Sequence, residues 1–181
     1  GPVGGVRSVA HATPAQAQPG QPTTHFDTIQ SSVCPPLFQA LTRWPYHLEA
    51  MTPVQEQVLA LLPDLVRART VPEADGEQGR DLLVKATPGM GKTVAYLTAA
   101  IEARVQRLER IAQGEEPDVL CRISERHPDS AAGRQKGDAA QVQNTPAFLY
   151  ASHTVGTLIL TPTRELALKV AGEAQRLQTY V

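Results

Sequence analysis

The sequence predicts an α/β protein in which a parallel sheet is flanked by helices. Three observations carry that prediction. Two short apolar runs, Asp81-Leu82-Leu83-Val84-Lys85-Ala86 and Thr157-Leu158-Ile159-Leu160-Thr161, have the length and bounding turns of buried strands. Each run is followed by a stripe of apolar residues at helical spacing. The connection between the runs is long, as parallel strands require, because a tight hairpin can join only antiparallel ones. The 181 residues, 41% of them hydrophobic, suit one globular domain with a core of its own.

Residues 1–25 contain no acidic side chain, one arginine (Arg7) and much Ala, Gln, Pro, Gly and Thr. Such a segment buries too little apolar surface to offset its ordering entropy, so a disordered arm is expected. From Pro35, the positions Leu37, Phe38, Leu41 and Trp44 read as helix. Thr52-Pro53 reads as an N-cap followed by proline in the first turn, and Gln55 completes a capping box. Val54, Val58, Leu61, Leu62 and Leu65 continue that stripe to about Val66, with Pro63 placed to end or kink it early. A polar loop over residues 70–79 leads into the first strand. Beyond it, Val94, Leu97, Ile101, Val105, Leu108 and Ile111 mark one face of a long helix. Residues 112–146 hold four basic, six acidic and only four large aliphatic side chains, and are expected to form a flexible insertion. After the second strand, Leu166, Val170, Ala174, Leu177 and Val181 share the face of a last helix.

Composition excludes several classes. No run of 18 apolar residues occurs, so no membrane-spanning helix is expected. Cys34 and Cys121 have neither the spacing of a zinc site nor the number of a disulfide framework, which fits a reducing, intracellular compartment. The five histidines show no metal-ligand spacing. A net charge of −1 argues that any grip on nucleic acid is local rather than bulk electrostatic.

The segment with most chemistry is Ala86-Thr87-Pro88-Gly89-Met90-Gly91-Lys92-Thr93, set between a strand and a helix. That is the context of a phosphate-binding loop. Glycines let backbone N–H groups converge on phosphate oxygens, and the helix N-terminus adds a favourable dipole. In this role Lys92 reaches the β- and γ-phosphates, and the Thr93 hydroxyl ligates Mg²⁺. The pattern G-x-x-x-x-G-K-S/T is met except at its first position, where Ala86 stands, and Pro88 brings no N–H. A glycine-proline turn opening a helix is the simpler alternative.

With Ala86–Thr93 followed downstream by Pro162-Thr163-Arg164-Glu165-Leu166-Ala167, the chain resembles the DEAD-box RNA helicases. The loop is similar to their motif I, which usually has Thr where Pro88 stands, and Pro162–Ala167 is similar to motif Ia. Met51-Thr52-Pro53-Val54-Gln55 resembles the end of their Q motif, although His47 takes the usual Gly position and Met51 the usual Pro. The resemblance covers residues 26–181 and implies part of the first of two RecA-like P-loop NTPase domains. It implies ATP and Mg²⁺ as cofactors, with Gln55 reading adenine and Phe26 stacking on the base. It also implies that Pro162, Thr163 and Arg164 contact the RNA backbone without regard to sequence. A glutamine amide donates and accepts at once, which matches adenine N6 and N7.

No Asp-Glu-Ala-Asp tetrapeptide occurs, nor do the motifs of a second domain. The resemblance therefore implies a fragment, ending at Tyr180-Val181, of an RNA helicase that unwinds short duplexes when whole. By itself the fragment is expected to be inactive and, with sheet edges uncovered, partly folded or prone to aggregate. Two rivals stand beside this reading: a non-catalytic ATP-binding or interaction module derived from a helicase, and a different P-loop NTPase. The Thr-Pro-Val-Gln form and the acid-free arm resemble mitochondrial members, particularly fungal ones, rather than nuclear or cytosolic ones.

Overall fold

In the computed structural model, the described residues are the backbone of 9–11 together with 24–66, 82–115 and 145–181. The insertion expected at 112–146 lies mostly outside them, as does nearly all of the N-terminal arm. The elements are β1 (Val9–His11), a 3₁₀ turn (Phe26–Ile29), α1 (Pro35–Thr42), α2 (Pro53–Leu59) and α3 (Leu62–Val66), then β2 (Leu83–Lys85), α4 (Lys92–Ala112), α5 (Pro146–His153) and α6 (Arg164–Leu177). The chain divides into two compact units, one of residues 1–103 with 161–181 and one of residues 104–160.

The first unit holds the core. Phe26, Leu37, Leu41, Leu59, Leu62 and Leu97 are fully buried, each contributing about 2 kcal/mol of apolar transfer free energy. Proline places the first turns of α1 and α2, where its missing N–H costs no bond. The stripe read as one helix to Val66 is two helices, because α2 ends at Leu59 and α3 restarts with Pro63 in its first turn. Trp44, placed on the helix by spacing, lies beyond α1 and is exposed.

The sheet is smaller than the pattern predicts. Val9–His11, inside the segment expected to be a disordered arm, runs parallel to Leu83–Lys85 in the register Val9 to Leu83. Among the described residues this short ladder is the whole sheet. β2 is covered on one side: Val84 packs toward Val54, Val58 and Ala95, while Leu83 is exposed. The second expected strand does not form. Thr157–Thr161 has no ladder partner among the described residues, and Leu158 and Leu160 are 77% and 84% exposed. Apolar content alone does not make a strand; it needs a neighbour to satisfy its N–H and C=O groups.

Backbone bonds stitch the start of the unit to the approach to α2. The Phe26 N–H donates to the Glu49 carbonyl (3.0 Å), the Met51 N–H to Thr24 (2.8 Å), and the Leu48 N–H to Leu41 (2.9 Å). His47, in the same stretch, has φ of +55° and is exposed. A side chain carries a steric penalty in this left-handed region, and glycine does not. This gives the physical reason for glycine at the corresponding position of the family pattern.

In the second unit, Arg104 lies over the Tyr150 ring at 4.6 Å, and its guanidinium donates to the Thr154 side chain at 3.0 Å. α5, which the sequence pattern did not reveal, is capped by Thr145, whose hydroxyl accepts from the Phe148 N–H.

His47→Gly should stabilise the protein by up to about 1 kcal/mol, since strain is relieved without loss of buried contact. Urea unfolding checks this; an unchanged or lowered midpoint contradicts it.

Candidate nucleotide-binding site

The site is built around the N-terminus of α4. β2 delivers the chain into residues 86–91, and α4 begins at Lys92. Gly89 and Gly91 have φ of +83° and +72°, a conformation that other residues rarely adopt. Ala86, which stands where the strict pattern has glycine, packs with Met90 against Val54, Val58 and Ala95.

Lys92 folds back over the loop. Its ammonium donates to the carbonyls of Ala86 (2.6 Å) and Thr87 (2.7 Å). Thr93 follows on the first turn and is half-buried. Thr87, Pro88 and Gly89 are exposed. A loop with two left-handed glycines, a lysine poised over it and a hydroxyl at the start of a 21-residue helix is the donor set that a Mg²⁺-nucleotide requires. The residues fit that ligand.

The capping box of α2 is fully formed. The Thr52 hydroxyl accepts from the Gln55 N–H (3.3 Å), and the Gln55 side-chain oxygen accepts from the Thr52 N–H (2.9 Å). Both side chains also reach the phosphate loop. The Thr52 hydroxyl donates to the Met90 carbonyl (2.8 Å), and the Gln55 amide makes a long donation to the Gly91 carbonyl (3.5 Å). A Cβ on Gly91 would stand 2.4 Å from Gln55 Nε2. Sequence reasoning treated Thr52 only as a cap. Its contact with the loop links residues 38 positions apart, and no local pattern carries that signal.

The other sequence-derived residues fall as follows. Gln55 is 3% exposed, its amide engaged in the cap and against the loop. Phe26 is 1% exposed and part of the core. Thr163 caps α6 by accepting from the Leu166 N–H (3.2 Å), and Pro162 and Arg164 beside it are at least partly exposed. The loop and α6 share a cleft of about 600 Å³, lined by Gly91, Thr93, Val94, Lys169, Glu173 and Arg176 among others. Two polar side chains that sequence reasoning missed meet at α6. Tyr46 donates its hydroxyl to the Glu173 carboxylate and lies 3.2 Å from the Glu173 carbonyl oxygen. Burial first, and then the hydrogen bond and charge of Glu173, push the Tyr46 hydroxyl well above the ordinary tyrosine range, against a smaller opposing pull from Arg176. Among the described residues no cluster of metal-ligating side chains occurs, and no helix is long and apolar enough to cross a membrane.

Loop, lysine and helix together have the form of a P-loop. Comparison with known proteins narrows it. The family model of the DEAD/DEAH box helicases matches residues 64–181, and the chain belongs to that family. Membership implies a RecA-like P-loop fold. The chain is 32% identical over 157 residues to DEAD-box ATP-dependent RNA helicase 25 of Oryza sativa subsp. japonica, covering 87% of this chain and 17% of that protein. It is 30% identical over 132 residues to DEAD-box ATP-dependent RNA helicase 26 of Arabidopsis thaliana, covering 73% and 10%. The chain thus spans less than a fifth of the length of these relatives. No solved structure matches it significantly.

Gln55→Ala should destabilise the protein by about 1 kcal/mol, because the Thr52 N–H loses its acceptor while the Gly91 carbonyl keeps the Ala95 N–H. Gly91→Ala should also destabilise, through its positive φ and the collision with Gln55. The double variant should lose about 1 kcal/mol less than the two single losses combined, because truncating Gln55 to a methyl removes the collision. Additive losses in denaturant titrations contradict the contact.

Proposed function

We propose that the chain supplies the nucleotide-binding part of an ATP-dependent RNA helicase. The observation that carries this reading is Lys92 bonded to the Ala86 and Thr87 carbonyls of a loop that holds two glycines of positive φ and is also bonded by Thr52 and Gln55. In that role Lys92 exchanges its carbonyl partners for the β- and γ-phosphates. Its charge is stabilised far more by phosphate than by neutral carbonyls. The Thr93 hydroxyl is placed to hold Mg²⁺, which supplies charge neutralisation between the phosphates. Gly89 and Gly91 let the backbone approach the anion.

Gln55 is the proposed adenine reader. Its amide carries two hydrogens and two lone pairs. Among the described residues, one lone pair serves Thr52 and one hydrogen faces Gly91. The remaining pair matches adenine and mismatches guanine. At the start of α6, Arg164 and Thr163 are proposed to meet RNA phosphates, a contact that positions a strand without reading its bases.

The 181 residues contain no Asp-Glu-Ala-Asp tetrapeptide to hold the metal and orient water. We therefore propose that these residues bind nucleotide, and that hydrolysis and duplex separation need the further parts of the whole protein, a second RecA-like domain included. A non-catalytic nucleotide-binding module is the second reading, favoured by Pro88, which offers no N–H to a phosphate. A reducing, intracellular setting, mitochondrial for preference, is part of the proposal and suits a chain whose two cysteines have neither the number of a disulfide framework nor the spacing of a zinc site.

Mg²⁺-dependent binding of a fluorescent ADP analogue tests the reading. Lys92→Ala should weaken it by about tenfold or more, the loss of one charge-assisted contact. In Gln55→Ala, GDP should compete about as well as ADP. Unchanged affinity in Lys92→Ala contradicts the assignment. ATP hydrolysis by the intact protein separates the lead from the second reading.

A further inference from the structure

Between the phosphate loop and Glu173 of α6 runs one backbone segment, residues 46–52, bonded to the loop at one end and to Glu173 at the other. The loop carbonyls of Met90 and Gly91 face Thr52 and Gln55. The stretch before Thr52 is fixed: the His47 N–H donates to Arg43 (2.6 Å), Leu48 to Leu41 (2.9 Å), and Met51 to Thr24 (2.8 Å), while Glu49 accepts from Phe26 (3.0 Å). At its head, Tyr46 donates to Glu173 in the middle of α6. Glu173 also pairs with Arg176 at 3.6 Å, and both line the cleft shared with Gly91 and Thr93. α1 and α6 pack directly beside this tie. The first turn of α6 carries Arg164 and the Thr163 cap.

We infer that Tyr46 and Glu173 are positioning residues, which set the N-terminus of α6 according to the state of the phosphate loop. The inference rests on the nucleotide reading above and extends it to how nucleotide and RNA sites communicate. When Lys92 leaves the Ala86 and Thr87 carbonyls for phosphate, the loop carbonyls held by Thr52 and Gln55 shift their balance. The hydrogen-bonded stretch 46–52 transmits that shift because it has few free torsions. The tie to α6 is specific, because a phenol held protonated donates to a carboxylate that a phenylalanine cannot engage. A contiguous bonded path is a physical route for such coupling, and perturbing one link tests it.

The test is hydrogen exchange in the intact protein, with and without ADP and Mg²⁺, followed in peptides from residues 86–95 and 163–170. In the wild type, nucleotide should slow exchange in both. In Tyr46→Phe the loop response should persist, and the α6 response should fall by about fivefold, the factor expected for one ordinary hydrogen bond. Glu173→Ala should behave like Tyr46→Phe. Glu173→Gln, which retains an acceptor for the phenol, should keep the response. Equal α6 responses in wild type and Tyr46→Phe overturn the inference, as does a wild-type loop response with none in α6. Absence of a loop response in the wild type overturns the nucleotide reading itself, and the inference falls with it.

Discussion

The contact on which the site depends is the capping box of α2 pressed against the phosphate loop. A helix N-terminus leaves backbone donors without partners, and Thr52 and Gln55 satisfy two of them reciprocally. The same two side chains also donate to the Met90 and Gly91 carbonyls. The loop is thereby tied to the core through Val54 and Val58 on the next turns of α2, which pack with Ala95 of α4. Remove the cap, and both the start of α2 and the floor of the loop lose their fixed positions together.

That arrangement explains why the loop can be shaped for an anion in advance. Two left-handed glycines bend the backbone, and the lysine that follows closes over its own carbonyls. A buried or half-buried ammonium needs oxygen partners, and the loop carbonyls supply them. Gly91 is doubly constrained, by its φ and by the nearby Gln55 amide, so its lack of a side chain is a packing requirement as well as a conformational one. Ala86 shows the opposite case, since its methyl finds a place in the core beneath the loop.

Much of this was legible in the sequence, for reasons that are local. Prolines in the first turns of α1 and α2 and the Thr52–Gln55 spacing act over a few residues, and each takes its expected place. The failures are non-local. Leu158 and Leu160 look like strand residues, yet a strand exists only beside a partner, and none lies beside them among the described residues. The burial of Phe26 is equally non-local, because an aromatic between polar neighbours reveals nothing of the core into which it folds. The Tyr46 tie to Glu173 joins residues 127 positions apart, and nothing in either segment announces the other.

The most direct test of the central claim is a structure of the protein with ADP and Mg²⁺ bound. The account predicts the β-phosphate inside residues 86–93, Lys92 moved from the Ala86 and Thr87 carbonyls to phosphate oxygens, and the Thr52–Gln55 box still closed on the loop. Nucleotide bound elsewhere, with Lys92 still on those carbonyls, would contradict it, as would a phosphate-filled loop from which Thr52 and Gln55 had withdrawn.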